Sequence, residues 1–342
     1  MKKLLRYCGL VALAGAALYL PNCDDDGPTE PKPYDGVWEW VPTPKCESSV
    51  SDIYFVSPSD GWAVAGWGQI WHYDGSRWKF VTKLTPENPL YDYGITQVWF
   101  NGPSDGWFGG YELRPANEYH SKMWHYDGGG FKEVKIPDVR FIYKMHFNAP
   151  DDGWAFGGDY ALRYDGEKWY KTEFPALFWH GCFFWNRGDG WGVSKYAIYK
   201  WTGSEWTEVR CVGADTWLYS IGFAKPTQGW ALGKEAPLSG SGTNAWRWNG
   251  VEWEEERAFT ERGGTAHALF DVEFLNADYG WAVGIGTYHW DGEKWTPYDK
   301  PDSGEYGTGF HLNCVFCLNE ADVWAGGDRG YIIHFKGFGG KY

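Results

Sequence analysis

The sequence predicts an all-β protein, a seven-bladed β-propeller of four-stranded antiparallel blades whose ring is closed by an N-terminal strand completing the last blade. Three observations carry that expectation. A Gly-Trp phrase or its equivalent returns seven times, with its Trp at Trp62, Trp107, Trp154, Trp191, Trp230, Trp281 and Trp324. The spacings of 45, 47, 37, 39, 51 and 43 residues match the length of one blade. Each Trp is followed by an aromatic turn phrase: HYDG at 72–75 and 125–128, RYDG at 163–166, KWTG at 200–203, RWNG at 247–250, HWDG at 289–292 and HFKG at 334–337. Composition agrees. With 25 Trp, 23 Tyr, 20 Phe and 47 Gly against 22% charged residues, the chain is neither disordered nor a coiled coil.

Within the first unit, DIYFV reads as strand a, GWAVAG as strand b, QIWHY as strand c and RWKFV as strand d. The Asp-Gly between c and d is a hairpin signal, because Gly accepts the positive φ such turns require. Strand a ends seven residues before the central Trp, at Phe55, Phe100, Phe147, Phe184, Phe223, Phe274 and, in the last unit, Cys317. Strand d opens four residues after the turn Asp or its equivalent, at Trp78, Phe131, Trp169, Trp206, Trp253 and Trp295. The seventh unit ends at Tyr342 without a fourth strand, while residues 34–41 read as an orphan turn plus strand d. Joining the two leaves no open edge, so residues 34–342 form the expected propeller.

The leader has its own logic. Residues 1–22 carry Lys2, Lys3 and Arg6 before an apolar run from Cys8 to Leu20, the pattern of a signal peptide rather than a comfortable membrane span. Leu20-Pro21-Asn22-Cys23 resembles the lipobox of bacterial lipoproteins, in which the Cys is diacylated; ordinary secretion is the alternative. Residues 23–33, polar and Pro-rich, read as a tether. The expectation is export to a bacterial cell envelope, with membrane attachment through a lipid on Cys23 only, on the periplasmic side or at the cell surface.

Loop lengths point to one working face. The a–b and c–d connections are constant, whereas the b–c and d–a connections vary, and in an antiparallel blade those two emerge together. The long segments are Gly109–Lys122 and Gly233–Ala245, with long entries at 82–94, 254–267 and 297–311. Counting back from the central Trp, position −12 is always apolar, so positions −13 and −11 fall on the other side. There stand Phe141, Tyr143, Phe178, His180, Trp217, Tyr219 and His311, an expected aromatic ligand-binding arc at the channel mouth. The competing reading is that long loops bury these rings as satellite core.

Other residues are weighed the same way. Asp60, Asp105, Asp152, Asp189 and Asp322 sit near the a–b turn and Asp74, Asp127, Asp165 and Asp291 in the c–d turn, and turn-shaping hydrogen bonds account for both sets. His72, His125, His289 and His334 share a position with Arg163, Lys200 and Arg247, which reads as a solvated cation position, so no metal site, no cofactor and no catalytic motif is expected. An exported protein permits disulfides; the blade positions predict Cys182–Cys211 and Cys46–Cys314, with Cys317 free. A net charge of −14 disfavours nucleic acid as a partner.

The GWAVG…GxI…DGxxW pattern resembles the repeats of YCF48-like and BNR (Asp-box) propellers over about residues 34–342. The turn departs from theirs, being one residue shorter with an aromatic before Asp. The resemblance implies the fold, and it names two functional classes. One is a non-enzymatic, envelope-anchored binding or assembly propeller, expected as a monomer, presenting its face to an envelope protein or glycan. The other is a sialidase-like glycoside hydrolase, for which Arg114, Arg140, Arg257, Arg262 and Arg329 are the available arginines. Expressed in a bacterial host fed radiolabelled palmitate, the full chain is expected to incorporate label and Cys23→Ser to lose it. Label retained by the serine variant overturns the anchor.

Overall fold

The computed structural model describes residues 36–43, 48–158, 160–172, 178–213, 216–235, 243–256, 259, 268–301 and 309–337. They form seven four-stranded antiparallel sheets. Blade one is Val50–Ser57, Asp60–Ala65, Gln69–Tyr73 and Trp78–Lys83, paired in chain order. Five more blades repeat that order, and the last is made from both ends of the chain. Gly36–Val41 pairs with Ile332–Gly337 and sets Trp38 opposite Phe335. The predicted closure is therefore observed.

The c–d turn holds because its Asp acts as an internal cap. In blade one the Asp74 carboxylate accepts the N–H groups of Ser76 and Arg77, both at 3.0 Å, and Gly75 takes φ 89°. Asp165, Asn249 and Asp291 repeat the device, as Asx-type turns do. The acids near the a–b turn act differently from expectation. They begin strand b, and in three blades the acid holds the central Trp: the indole N–H of Trp62 donates to Asp60 at 3.0 Å, Trp107 to Asp105 at 3.0 Å and Trp324 to Asp322 at 2.7 Å. Nor is the neighbouring cation position merely solvated. His72, His125 and His334 lie 2.8, 2.8 and 2.6 Å from those carboxylates, and Arg163 lies 2.7 Å from Asp152. In five blades this position needs only a donor to a strand-b acid; in blades five and six Gln228 and Tyr279 stand in the acid's place.

A glycine before the central Trp explains another constant. In six blades it lies directly opposite the strand-a Phe, as Gly61 opposite Phe55 and Gly190 opposite Phe184. A Cβ there would stand 2.4 and 2.3 Å from those rings, well inside contact distance. In blade seven both residues change together: Cys317 faces Val323. The smaller sulfur side chain leaves room that the valine fills, so core volume is kept.

Blades are joined by an aromatic box. Each central Trp packs against rings of the following blade, at six joints its Phe from strand a, the aromatic before its turn and its strand-d ring. Trp154 lies 5.7, 5.0 and 5.8 Å from Phe184, Trp201 and Trp206. Trp191 lies 5.5, 4.9 and 5.5 Å from Phe223, Trp248 and Trp253. Where the chain ends meet, Trp281 packs on Phe335 and on Trp38, at 4.9 and 5.0 Å, and Trp324 on Phe55, Tyr73 and Trp78.

Two sequence expectations fail here. Cys182 and Cys211 are free thiols, not a disulfide. They belong to the first and last strands of one sheet, three strand spacings or about 14 Å apart, beyond the roughly 7 Å Cα separation a bridge can span. Cys182 is buried, and that burial pushes its thiol up to about 12. Cys314 is likewise a free buried thiol, 3.6 Å from the Gly326 carbonyl oxygen, and its proposed partner Cys46 lies outside the described residues. Cys317 is free, as expected.

The blade-seven exchange gives a direct test. Cys317→Phe alone should cost about 1–3 kcal/mol by overpacking against Val323. Combined with Val323→Gly it rebuilds the pair used by the other six blades, so urea unfolding should show the double variant more stable than the sum of the singles by about 1 kcal/mol or more. Simple additivity overturns the compensation.

Candidate functional site: the axial channel and its mouth

The first strand of each blade is its inner edge, and an inner edge leaves backbone N–H and C=O groups without a strand partner. Here they are satisfied by polar side chains of the preceding blade. Asp52 accepts the Val98 N–H at 3.0 Å, Asp271 the Val315 N–H at 3.1 Å and Glu273 the Cys317 N–H at 2.9 Å. The Tyr54 hydroxyl donates to the Phe100 carbonyl at 2.9 Å, His180 Nδ1–H to that of Leu218 at 2.8 Å and the Asn313 amide to that of Val50 at 2.9 Å. These side chains make the channel wall and also stitch blade to blade.

Three layers follow along the channel. The outermost is position −11, where the a–b register shifts by one residue in six blades, as between Val50 and Asp52. Such bulges re-aim side chains. Ser51, Thr96, Tyr143, His180, Tyr219, Phe270 and Asn313, one from each blade, line a mouth of about 310 Å³. Tyr143, His180 and Tyr219 thus line the mouth, whereas Phe141, Phe178, Trp217 and His311 are not among its lining residues. Six rings form one continuous arc: Phe141 stacks on Tyr143 at 5.2 Å, Tyr143 meets His180 at 5.1 Å, His180 meets Tyr219 at 5.4 Å, Tyr219 meets Phe270 at 5.4 Å and Phe270 meets His311 at 6.1 Å. The blade-two insertion extends the arc, because strands Asp105–Arg114 and Glu118–Tyr126 project past the blade and set Tyr119 4.4 Å from Phe141. Trp217 lies under two cations, Lys195 at 3.9 Å and Lys234 at 4.7 Å. Phe178, at φ 60°, is exposed.

The middle layer is position −10: Asp52, Gln97, Lys144, Ser220 and Asp271, with Gly181 and Cys314 completing the ring. Lys144 of blade three reaches Asp271 of blade six at 3.9 Å. Burial works against the Lys144 charge, but Asp271 and Asp52 outweigh it and hold the amine above the ordinary lysine range. Burial lifts Asp52 to about 7 despite Lys144 and the Val98 N–H.

The third layer, position −8, is a second aromatic belt that the sequence reading did not single out. Phe316, Tyr54, Trp99 and His146 run in sequence around it, with ring separations of 5.2, 5.3 and 4.9 Å, and Phe183 follows. Blades five and six supply Gly222 and Glu273 instead. The belt and the charged ring bound a chamber of about 310 Å³. Burial pushes Glu273 up to about 8; burial, reinforced by Lys144, pushes His146 down to about 4. Aligning all seven strands a by column exposes both layers in the sequence, as polar residues at −10 and rings at −8.

Among the described residues, no group of three or more His, Cys, Asp or Glu is arranged to hold a metal. Among the described residues, the arginines of the hydrolase alternative have separate surroundings. Arg114 pairs with Glu112 at 2.7 Å, Arg140 lies over Phe141, Arg329 belongs to blade seven, and Arg257 and Arg262 lie outside the described residues.

No family model matches the sequence, and no curated protein does. Solved structures match the fold. YCF48 from Cyanidioschyzon merolae aligns over 88% of this chain and 98% of its own, with a TM-score of 0.62 and 15% identity. A structure of YCF48 bound to D1 peptide aligns over 87% and 96%, with a TM-score of 0.63 and 15% identity. The WD40 propeller domain of Doa1 aligns over 88% and 97%, with a TM-score of 0.64 and 11% identity. The shared property is the propeller.

The channel acids set a pH dependence. Asp52 and Glu273 titrate in the folded protein at about 7 and about 8, above their unfolded values, so the stability they contribute is complete at low pH and lost as pH rises through 7 and 8. His146 and His289, both depressed to about 4, act in the opposite sense and only below about 6.5. Unfolding free energy should therefore fall between about pH 6.5 and 8.5. The fall should flatten in the Asp52→Asn/Glu273→Gln variant, which keeps both backbone hydrogen bonds. Equal slopes in the two proteins overturn this account.

Proposed function

We propose that this protein is a non-enzymatic binding and assembly propeller, held at a bacterial cell envelope by a lipid on Cys23, whose aromatic mouth docks a protein partner. The observation that carries the reading is the unbroken ring contact from Phe141 to His311 around one mouth. Flat rings whose faces are half-open and whose edges carry hydroxyl and imidazole groups match the composition of interface hot spots. Trp217 beneath Lys195 and Lys234 adds a local positive site to an acidic chain, favouring a partner segment with a carboxylate among its apolar residues. The structure of YCF48 bound to D1 peptide supports the reading by analogy, since it is a propeller of similar shape with a bound peptide. The variable lengths of the b–c and d–a connections, which an antiparallel blade puts on one face, support it too.

The test compares the mature domain with a Phe141→Ala/Trp217→Ala/Tyr219→Ala variant, both shown folded by circular dichroism, in cross-linked capture from envelope extract. The same envelope protein should be recovered by the wild type and depleted at least about tenfold by the variant, as loss of two or three hot-spot rings implies. Equal capture by both proteins removes the mouth as the docking surface. No capture by either, with retention on a polysaccharide array, moves the ligand from protein to glycan.

A further inference from the structure

The inner chamber has a composition the mouth does not share. Its belt presents Tyr54, Trp99 and Phe316, each half-buried, with His146 beside them held neutral by burial. Set into the gap in that belt is Glu273. Its Oε2 accepts one backbone N–H, and among the described residues no cationic nitrogen lies within ion-pair distance of it. Lys144 is engaged one layer away, 3.9 Å from Asp271. Three carboxylates, Asp52, Asp271 and Glu273, thus face a chamber that contains one lysine. An acid partly withdrawn from water, on which Lys144 acts only from beyond ion-pair distance, either takes up a proton or awaits a closer cation.

We propose that this chamber is a binding site for an organic ammonium ion, with Glu273 as its counter-ion and the faces of Tyr54, Trp99 and Phe316 as its wall. The chemistry distinguishes this occupant from its competitors. A hard metal ion demands several converging oxygens, and the described residues offer no such group. An anion would face a net excess of carboxylates. A weakly hydrated alkylammonium is stabilised by aromatic faces and a single acid together, and Lys144 at the far end orients its head toward Glu273. The ammonium can be a free amine or the lysine side chain of a partner; both present the same head group. The inference is independent of docking at the mouth.

The experiment is calorimetric titration of the mature protein at about pH 9, above the range to which burial lifts Glu273. n-Butylammonium chloride is the probe, butan-1-ol its neutral counterpart and N-acetyl-lysinamide the side-chain mimic. Butylammonium should bind at least about tenfold more tightly than the alcohol. Glu273→Gln, which keeps the Cys317 hydrogen bond, should weaken it about tenfold, while Trp217→Ala at the mouth should leave it unchanged. Comparable binding of N-acetyl-lysinamide assigns the site to a partner's lysine, and its exclusion assigns it to a free amine. Should Glu273→Gln unfold, Phe316→Leu tests the same chamber through its wall, with the same expected loss. No binding of either cation, equal binding of the alcohol, or unchanged affinity in the chamber variants overturns the proposal.

Discussion

Seven tryptophans packed forward onto the next blade hold this molecule together. An isolated four-stranded sheet of this size has two faces to cover and cannot cover them alone. Each central Trp solves that for its neighbour by sitting among rings of the following blade, three at six joints and two, Phe335 and Trp38, where blade six meets blade seven. Ring pairs at 5–6 Å contribute about 0.5–1.5 kcal/mol each beyond the area they bury, and the box repeats at every joint. The joint between blades six and seven is the one that depends on both chain ends. There Trp38, thirty-odd residues into the chain, completes the box around Trp281. Closure is thus a packing event as much as a hydrogen-bonding one, and the same residue serves both.

The inner edge imposes the second constraint. A propeller brings seven strand edges toward one axis, and each exposes backbone groups to a space too narrow for free hydration. Side chains at −11, −10 and −8 supply the missing partners, which limits those columns to residues that can reach across. The channel's polarity is therefore partly a cost of the architecture: Asp52 and Asp271 are tied to the next strand's N–H groups. Lys144 then offsets the charge those acids bring. Glu273 stands apart because its charge exceeds what its single backbone bond requires.

The face opposite the constant a–b turns has the freedom the rest lacks. Its loops can lengthen without disturbing the boxes, and its position −11 residues are bulged outward, where their identity is not dictated by the sheet. His180, Tyr219 and Phe270 occupy such bulges, Tyr143 holds the same position in blade three, and the four touch in series. Specific chemistry collects there because the fold places few demands on it, while the aromatic boxes behind keep the bulges in register.

Blade count, strand order and the two-ended closure could be read from the chain because each depends on local repetition: one Trp, one turn and one strand-a ring per unit, with an orphan strand at one end and a missing strand at the other. The mouth was legible for a similar reason, since position −11 alternates against an invariant apolar neighbour. What the three-dimensional structure alone decided are relations across the ring. Lys144 and Asp271 lie 127 residues apart in the sequence and meet only because blades three and six face each other over the axis. Cys182 and Cys211 look paired by blade position yet lie at opposite edges of one sheet. The acids of strand b read as turn formers until the Trp indoles they hold come into view. Repetition along a chain encodes the blade; only closure of the ring determines which blades, and which charges, look at one another.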